Sequence, residues 1–255
     1  MGDGKATPHP SHRMKGPTLS YGKSARWYDT IYGFKDYAAE AESLRALVAE
    51  ARPGARRLLD VACGTGEHLR HLQESFEVEG IDISPEMLAV AREKLPGVPL
   101  HQADMCSFDL GRTFDAAICM FSAVGHLADE AALNEAIRRI ARHMEPGGVF
   151  LLEPWLAPEA YTPGRVHGLF VDKPDVKLAR ISVSELSGRT SVFDMHHLVG
   201  TPDGVEHFVE HLELTLFPLD SYREALAAAG MSVRFDSDGP TGRGLFLGVL
   251  PGPPA

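Results

Sequence analysis

With 255 residues, of which 44% are hydrophobic and 24% charged, the chain has the composition of a globular protein with a large core. Its formal net charge of −10 argues against general nucleic-acid binding, which needs a basic face, and no apolar run approaches the roughly 20 residues that span a bilayer. The N-terminus lacks a signal-peptide apolar region, and the three cysteines show neither metal-ligand spacing nor an even disulfide set, so we expect a cytoplasmic protein without a bound metal.

The first predicted elements precede the glycine-rich part of the chain. Residues 1–19 are rich in Pro, His, Lys and Gly and have almost no large apolar side chains, which predicts a disordered tail. Residues 21–32 are dense in aromatic side chains. Apolar residues then recur at helical spacing over 37–51, which predicts a helix there.

A strand, a glycine turn and a helix are predicted between residues 58 and 76. Asp60 ends the apolar strand, and Gly64 and Gly66 let the backbone turn sharply and approach a ligand closely. This layout is typical of a nucleotide-type cofactor site. Leu69 stands where a dinucleotide-binding fingerprint needs its third glycine, and no Gly-Lys-Ser/Thr phosphate loop is present, so both of those cofactor sites are excluded.

Four further strands of an alternating strand–helix core follow, at 78–84, 99–102, 114–120 and 149–153. Asp82 lies roughly 20 residues beyond the glycine turn, where such folds place a carboxylate on ribose hydroxyls. The Ser84-Pro85-Glu86 sequence predicts the start of a helix, with Ser84 as its N-cap.

The pattern changes after Trp155. Short β-type runs fill 166–217, and the last of them alternates polar and apolar residues as a half-exposed antiparallel strand does. Asp220 is predicted to cap a helix that ends at Gly230, followed by a strand pair over 231–250. We therefore divide the chain into a tail (1–19), a cofactor-binding core (20–157), an antiparallel β subdomain (158–218) and a return to the core sheet (219–255).

The acid at the strand end followed by a single Gly-x-Gly resembles motif I of the class I S-adenosylmethionine-dependent methyltransferases. The resemblance implies an α/β fold with a Rossmann-like seven-stranded sheet and an inserted antiparallel β subdomain. It also implies S-adenosylmethionine as the cofactor, with Asp82 on the ribose and Asp104 on the adenine amino group. The residues expected to bind the cofactor are Tyr28, Asp60, Ala62, Gly64, Gly66, Asp82, Ile83, Met87, Asp104, Met105 and Met120.

Four segments together, 58–66, 120–127, 153–155 and 239–246, are similar to the N,N-dimethyltransferases of nucleotide-linked amino sugars from macrolide antibiotic pathways. This resemblance implies a dTDP-linked 3-amino- or 4-amino-deoxyhexose as the acceptor and two successive methyl transfers. It also implies a homodimer built on the antiparallel subdomain.

Two positions depart from that family's pattern. After Trp155 the family commonly continues with Trp-Phe, where this chain has Leu156 and Ala157, and Val183 stands in place of a histidine. Two substrate-facing positions thus lack an aromatic ring and an imidazole. The departures leave the precise sugar and its dTDP linkage open.

The acceptor chemistry points to a second group of residues. Nitrogen attacks an electrophilic methyl group only when it is neutral, and His126 just past the fourth strand is predicted to accept or relay the amine proton. Tyr21 is predicted to hydrogen-bond near the amine, Trp155 to face the substrate, and Arg243 to pair with the diphosphate. The alternatives are a hydrogen-bonded histidine at a helix start, tyrosines that only pack, and a surface arginine at a hairpin tip.

Two other functions stay open. The chain is alternatively a methyltransferase for another small acceptor, with an oxygen or carbon nucleophile, or a binding protein that uses the fold without turnover. The joint presence of Tyr21, His126 and Arg243 favours the amino-sugar enzyme. A metal-dependent O-methyltransferase is disfavoured because the sequence shows no acidic cluster suited to Mg²⁺.

Overall fold

Two β-sheets and six α-helices make up the computed structural model, which describes residues 21–252. The tail predicted at 1–19 lies outside these described residues. The helices are α1 (Tyr28–Ile31), α2 (Tyr37–Ala51), α3 (Glu67–Leu72), α4 (Pro85–Lys94), α5 (Glu130–Arg142) and α6 (Leu219–Ala228). The strands are β1 (Arg57–Val61), β2 (Glu77–Asp82), β3 (Leu100–Gln102), β4 (Phe114–Cys119), β5 (Met144–Leu152), β6 (Val166–Lys173), β7 (Val176–Val183), β8 (Glu185–Ser187), β9 (Thr190–Thr201), β10 (Gly204–Thr215), β11 (Ser232–Asp236) and β12 (Leu245–Val249).

The larger sheet, sheet A, has seven strands in the order β11-β12-β5-β4-β1-β2-β3. The five strands from β5 to β3 are parallel, and β12 joins them antiparallel to β5. Leu58 and Leu59 point to opposite faces of this sheet and belong to two separate hydrophobic cores, because side chains alternate along a strand. The predicted Rossmann-like seven-stranded sheet is confirmed.

The smaller sheet, sheet B, is entirely antiparallel and lies between β5 and α6 in the chain. Its strand order is β10-β9-β7-β6, and β8 pairs with β9. The inner face packs Leu178, Val199 and Phe208 against Ile31 of α1. Sheet B and the N-terminal helix are thereby joined in one small core, which confirms the inserted antiparallel subdomain and attaches it to the segment that precedes the cofactor loop.

Local sequence signals, chiefly N-cap residues and proline, determine most of the helix boundaries. The helix predicted at 37–51 is confirmed, and Asp36 caps it by accepting a hydrogen bond from the Ala39 N–H at 3.0 Å. Ser84 caps α4 as predicted, accepting from Met87 at 3.2 Å. The prediction for Asp220 was wrong: α6 begins at Leu219 after Pro218, whose fixed φ of −56° ends the extended segment, and Asp220 lies inside the first turn.

Two further boundaries differ from the sequence prediction. The helix after the glycine turn ends at Leu72 rather than near Phe76. Strand β5 begins at Met144, five residues before the predicted start, because Met144 already pairs with Phe114 of β4, and the Glu-Pro-Gly-Gly segment then forms an irregularity before pairing resumes at Val149. Among residues 21–252, none of the helices is both long and apolar enough to cross a membrane.

Candidate active site

The loop between β1 and α3 lies at the carboxyl end of the parallel strands. Ala62, Gly64 and Gly66 all have positive φ, at 61°, 55° and 78°. A Cβ on Gly66 would come within 2.7 Å of Leu95, whereas a Cβ on Gly64 would meet nothing within 4 Å. Gly66 is therefore required by packing, and Gly64 keeps the loop open for close approach of a ligand.

Two carboxylates lie beneath this loop at the ends of neighbouring strands. Asp82 accepts the N–H of Gly64 and the N–H of Ser84, each at 2.8 Å. Asp60 is buried, and its Oδ2 has no hydrogen-bond partner among residues 21–252. Burial raises the pKa of both carboxyl groups, and the charge of Asp82 raises that of Asp60 further. Two oriented acceptors at this edge suit a ligand that carries hydroxyl donors.

Apolar surface lies directly beside Asp82. Ile83 is 49% exposed, although it is a large hydrophobic residue. Asp104 and Met105 follow β3, which pairs with β2 so that Gln102 lies opposite Asp82. Polar acceptors next to an exposed apolar face fit the ribose and adenine of S-adenosylmethionine. Met87 and Met120, also expected at the cofactor, are buried core residues.

The N-terminal segment closes this site from one side. The Thr65 hydroxyl donates to Asp29 of α1 at 2.6 Å, and the Lys94 ammonium lies 2.7 Å from Asp29 and 2.6 Å from Glu67. These contacts tie α1 to the glycine loop. The ring of Tyr28, the first residue of α1, meets those of Tyr21, Tyr32 and Phe121.

Tyr21 and His126, which the sequence predicts at the acceptor, meet in space although 105 residues separate them. Their rings pack edge to face with centroids 5.9 Å apart, and Tyr21 also meets Tyr28 at 5.7 Å. Burial, and secondly the neighbouring Tyr32, raise the pKa of Tyr21 well above 10, so its phenol stays protonated.

His126 ends the 3-10 turn Ala123–His126 that follows β4. Desolvation by the surrounding protein lowers its pKa below the usual 6.5, although the residue as a whole is exposed. The imidazole is therefore neutral at neutral pH and is able to accept a proton.

Phe121 lies at the centre of the aromatic cluster, and the sequence did not mark it. Its ring centroid lies 4.9 Å from that of Tyr32 and 4.1 Å from the Lys35 ammonium. Phe121 and Ser122 both have positive φ, 55° and 60°, which is unfavourable for residues other than glycine. Tertiary contacts maintain backbone strain of this kind, so no local sequence pattern predicts it.

The contact that holds Phe121 and Ser122 comes from Glu153, a fully buried carboxylate just past β5. Glu153 accepts the Phe121 N–H at 3.3 Å and lies 3.2 Å from the Ser122 hydroxyl. Arg243 reaches the same carboxylate at 3.6 Å and donates to Ser122 at 3.2 Å. Glu153 thus joins the end of β4 to the loop between β11 and β12.

Arg243 and Trp155 lie together on the far side of Phe121. The guanidinium carbon of Arg243 is 5.3 Å from the centroid of Phe121 and 5.5 Å from that of Trp155. Trp155 also packs closely on Gly125 of the 3-10 turn. A Cβ added to this glycine would lie only 3.1 Å from the tryptophan side chain. The predicted substrate residues are therefore neighbours, but the Arg243 charge is partly offset by Glu153.

Known proteins resemble this chain along most of its length. A family model described as "Methyltransferase domain" matches residues 58–148. The dTDP-3-amino-3,6-dideoxy-alpha-D-glucopyranose N,N-dimethyltransferase of Streptomyces fradiae is 48% identical over 95% of this chain and 96% of its own length. The dTDP-3-amino-3,4,6-trideoxy-alpha-D-glucopyranose N,N-dimethyltransferase of Streptomyces venezuelae is 44% identical over 87% of this chain and 95% of its own length.

A solved structure shows the same extent of similarity. The crystal structure of Streptomyces venezuelae DesVI covers 92% of this chain and 99% of its own, with a TM-score of 0.85 and 41% identity. Because the coverage is nearly complete, the similarity includes the parallel core and sheet B alike.

Proposed function

Because this chain belongs to the family of dTDP-amino-deoxysugar N,N-dimethyltransferases, which are S-adenosylmethionine-dependent enzymes, we propose that it methylates the 3-amino group of a dTDP-linked 3-amino-deoxyhexose twice. The observation that carries the proposal is the match to two 3-amino-sugar enzymes along nearly their whole length. The pairing of Tyr21 with His126 at the carboxyl edge of sheet A gives such an amine a defined place to react.

Each part of the site has a chemical task in this proposal. S-adenosylmethionine supplies an electrophilic methyl group on a cationic sulfur. Asp82 orients the ribose through its fixed oxygens, and Tyr28 offers an aromatic face to the cation. The neutral His126 accepts or relays the proton that the amine loses, and the Tyr21 oxygen accepts an amine N–H so that the lone pair is directed at the methyl group.

The direct test is incubation with S-adenosylmethionine and a panel of dTDP-linked 3-amino and 4-amino sugars, followed by mass spectrometry. We expect two successive methyl additions to the 3-amino members. Turnover restricted to 4-amino members would overturn the position of attack. Absence of turnover on every member would favour an acceptor with an oxygen or carbon nucleophile.

Replacing His126 with Asn is expected to lower kcat about a hundredfold, because a positioned base contributes on this order. The Kd of S-adenosylmethionine should not change. Since the pKa of His126 lies below 6.5, its protonation should slow the wild-type enzyme only under acidic conditions, and the variant should lose that part of the pH profile. An unchanged kcat and pH profile would show that His126 is not the base.

We also infer a homodimer built on the outer face of sheet B. Phe170, Ile181, Leu198, Val205 and Val209 are all exposed there, with Phe170 and Val205 each at 74%. Large exposed apolar side chains grouped on one face indicate an interface, and an isologous contact between two copies would bury this face on both of them. A Leu198→Glu variant should sediment as a folded monomer; a wild-type chain that is itself monomeric contradicts the inference.

A cytoplasmic location accords with the cysteines. Cys63, Cys106 and Cys119 are all free thiols, and two of them are buried. Free thiols suit a reducing compartment.

A further inference from the structure

Two arginines flank the aromatic side of the site. The guanidinium carbon of Arg180, from β7, lies 5.0 Å from the Tyr32 centroid, and that of Arg243 lies 5.3 Å from the Phe121 centroid. The two rings are themselves 4.9 Å apart. Sheet B thus supplies a guanidinium at the Tyr32 end of this ring pair, and the β11–β12 loop supplies another at the Phe121 end.

The two arginines differ in how their charge is compensated. Arg243 lies 3.6 Å from the buried Glu153 carboxylate. Arg180 donates from Nη1 to the Tyr32 hydroxyl at 2.8 Å, and within residues 21–252 it forms no ion pair with a carboxylate. Among the described residues no carboxylate therefore pairs with Arg180, in a protein whose net charge is −10.

The groups that surround Arg180 on the inner face of sheet B form no ion pair with it. His197 lies opposite it on β9; its ring is buried, and burial lowers its pKa, so it is neutral. Leu169 lies opposite it on β6. Glu210 shares the inner face: its Oε1 accepts the N–H groups of Lys23 and Ser24 at 3.1 and 3.0 Å, its Oε2 is buried without a hydrogen-bond partner among residues 21–252, and it forms no ion pair with Arg180.

Arg180 also acts electrostatically on Tyr21, one of the two residues predicted at the acceptor amine. Its charge acts to lower the pKa of Tyr21, against the stronger effects of burial and Tyr32 that raise it. A guanidinium has five N–H donors, and one phenol oxygen satisfies few of them. Half-burying a cation whose N–H donors are unsatisfied costs free energy unless an anion accepts hydrogen bonds from those donors.

We propose that Arg180 is the principal cationic contact for the diphosphate of the nucleotide-linked substrate and is thus a specificity-determining residue. The proposal rests on the function proposed above. A planar guanidinium pairs bidentately with phosphate oxygens, and the adjoining rings of Tyr32 and Phe121 offer flat apolar surface beside it. Arg243, already compensated by Glu153, has the lesser part in holding the anion.

The test titrates thymidine diphosphate and thymidine separately into the wild type, Arg180→Gln and Arg180→Lys, measured by calorimetry. We expect Arg180→Gln to raise the Kd of thymidine diphosphate roughly tenfold to a hundredfold, with a smaller rise for Arg180→Lys and no change for thymidine. In turnover, KM for the nucleotide sugar should rise more than kcat falls. The Kd of S-adenosylmethionine should stay constant, which also shows that the variants are folded.

The matched control is Arg142→Gln. Arg142 is exposed at the end of α5, on the edge of sheet A opposite to the site and outside sheet B, so its replacement changes the net charge equally without reaching the site. Thymidine diphosphate should bind this variant as it binds the wild type. Equal loss of affinity in Arg142→Gln and Arg180→Gln would mean a general charge effect and would overturn the proposal.

A second variant separates anion binding from a merely structural role. Tyr32→Phe removes the hydroxyl that Arg180 holds but keeps the guanidinium. If Arg180 only fastens α1 to sheet B, Tyr32→Phe and Arg180→Gln will weaken thymidine and thymidine diphosphate alike, and the proposal is overturned. Unchanged diphosphate affinity in Arg180→Gln overturns it as well. A wild type that binds no thymidine diphosphate would instead refute the nucleotide-linked substrate itself.

Discussion

Replacing Asp82 with Ala is expected to raise the Kd of S-adenosylmethionine roughly a hundredfold or more. Two charge-assisted hydrogen bonds to the ribose would be lost, each of about 1.5–3 kcal/mol. The same carboxylate accepts the N–H of Gly64 and of Ser84, so the glycine loop would also lose its support. Calorimetric titration of the cofactor measures the effect.

Two further variants separate charge from loop geometry. Asp82→Asn keeps one acceptor oxygen for the loop and should fall between the wild type and Asp82→Ala. Glu93→Gln removes one negative charge from the exposed side of the neighbouring α4 and should leave the Kd unchanged. If Asp82→Ala binds the cofactor as tightly as Glu93→Gln, Asp82 is not a ribose ligand.

The same contact predicts a pH dependence. Burial raises the pKa of Asp82 above its ordinary 3.8, and the protonated carboxyl is a poorer acceptor. Cofactor affinity should therefore fall as the pH is lowered, beginning at a higher pH than for an ordinary aspartate. Asp82→Asn should lack this dependence.

Regular periodicity made the core predictable from sequence. Leu58 and Leu59 lie in a short apolar run bounded by a glycine turn, and helix α2 has a clear apolar period and an N-cap. Such signals are local, and tertiary contacts only reinforce them. The Asp220 prediction failed where two local signals competed, and the fixed φ of Pro218 determined the start of the helix.

The acceptor side of the site was only partly predictable. The sequence singled out Tyr21, His126, Trp155 and Arg243 through acceptor chemistry and resemblance, but not Phe121 or Arg180. Phe121 is held in an unfavourable conformation by a carboxylate 32 residues away, and Arg180 belongs to a strand with no motif. Contacts between elements that are distant in the sequence produce no periodic pattern, so they are seen only in the folded structure.

Glu153→Ala is expected to reduce the free energy of unfolding by about 3 kcal/mol, because it breaks a buried, hydrogen-bonded ion pair. The loss should also lower kcat, since Glu153 holds Phe121 and Ser122 in left-handed conformations directly before the turn that carries His126. Once that support is removed, the strained residues can relax and carry the turn with them. Chemical denaturation and steady-state kinetics measure the two effects.

Glu153→Gln and Glu159→Ala complete the comparison. The glutamine keeps an acceptor for the Phe121 N–H but loses the charge facing Arg243, so it should lose less stability than the alanine variant. Glu159 is exposed on the following 3-10 turn, and its replacement should change neither quantity. A double-mutant cycle of Glu153→Gln with Arg243→Gln should show a coupling above about 0.5 kcal/mol, as contacting residues do. Additive effects, or wild-type stability in Glu153→Ala, would mean that this network does not set the geometry of the acceptor site.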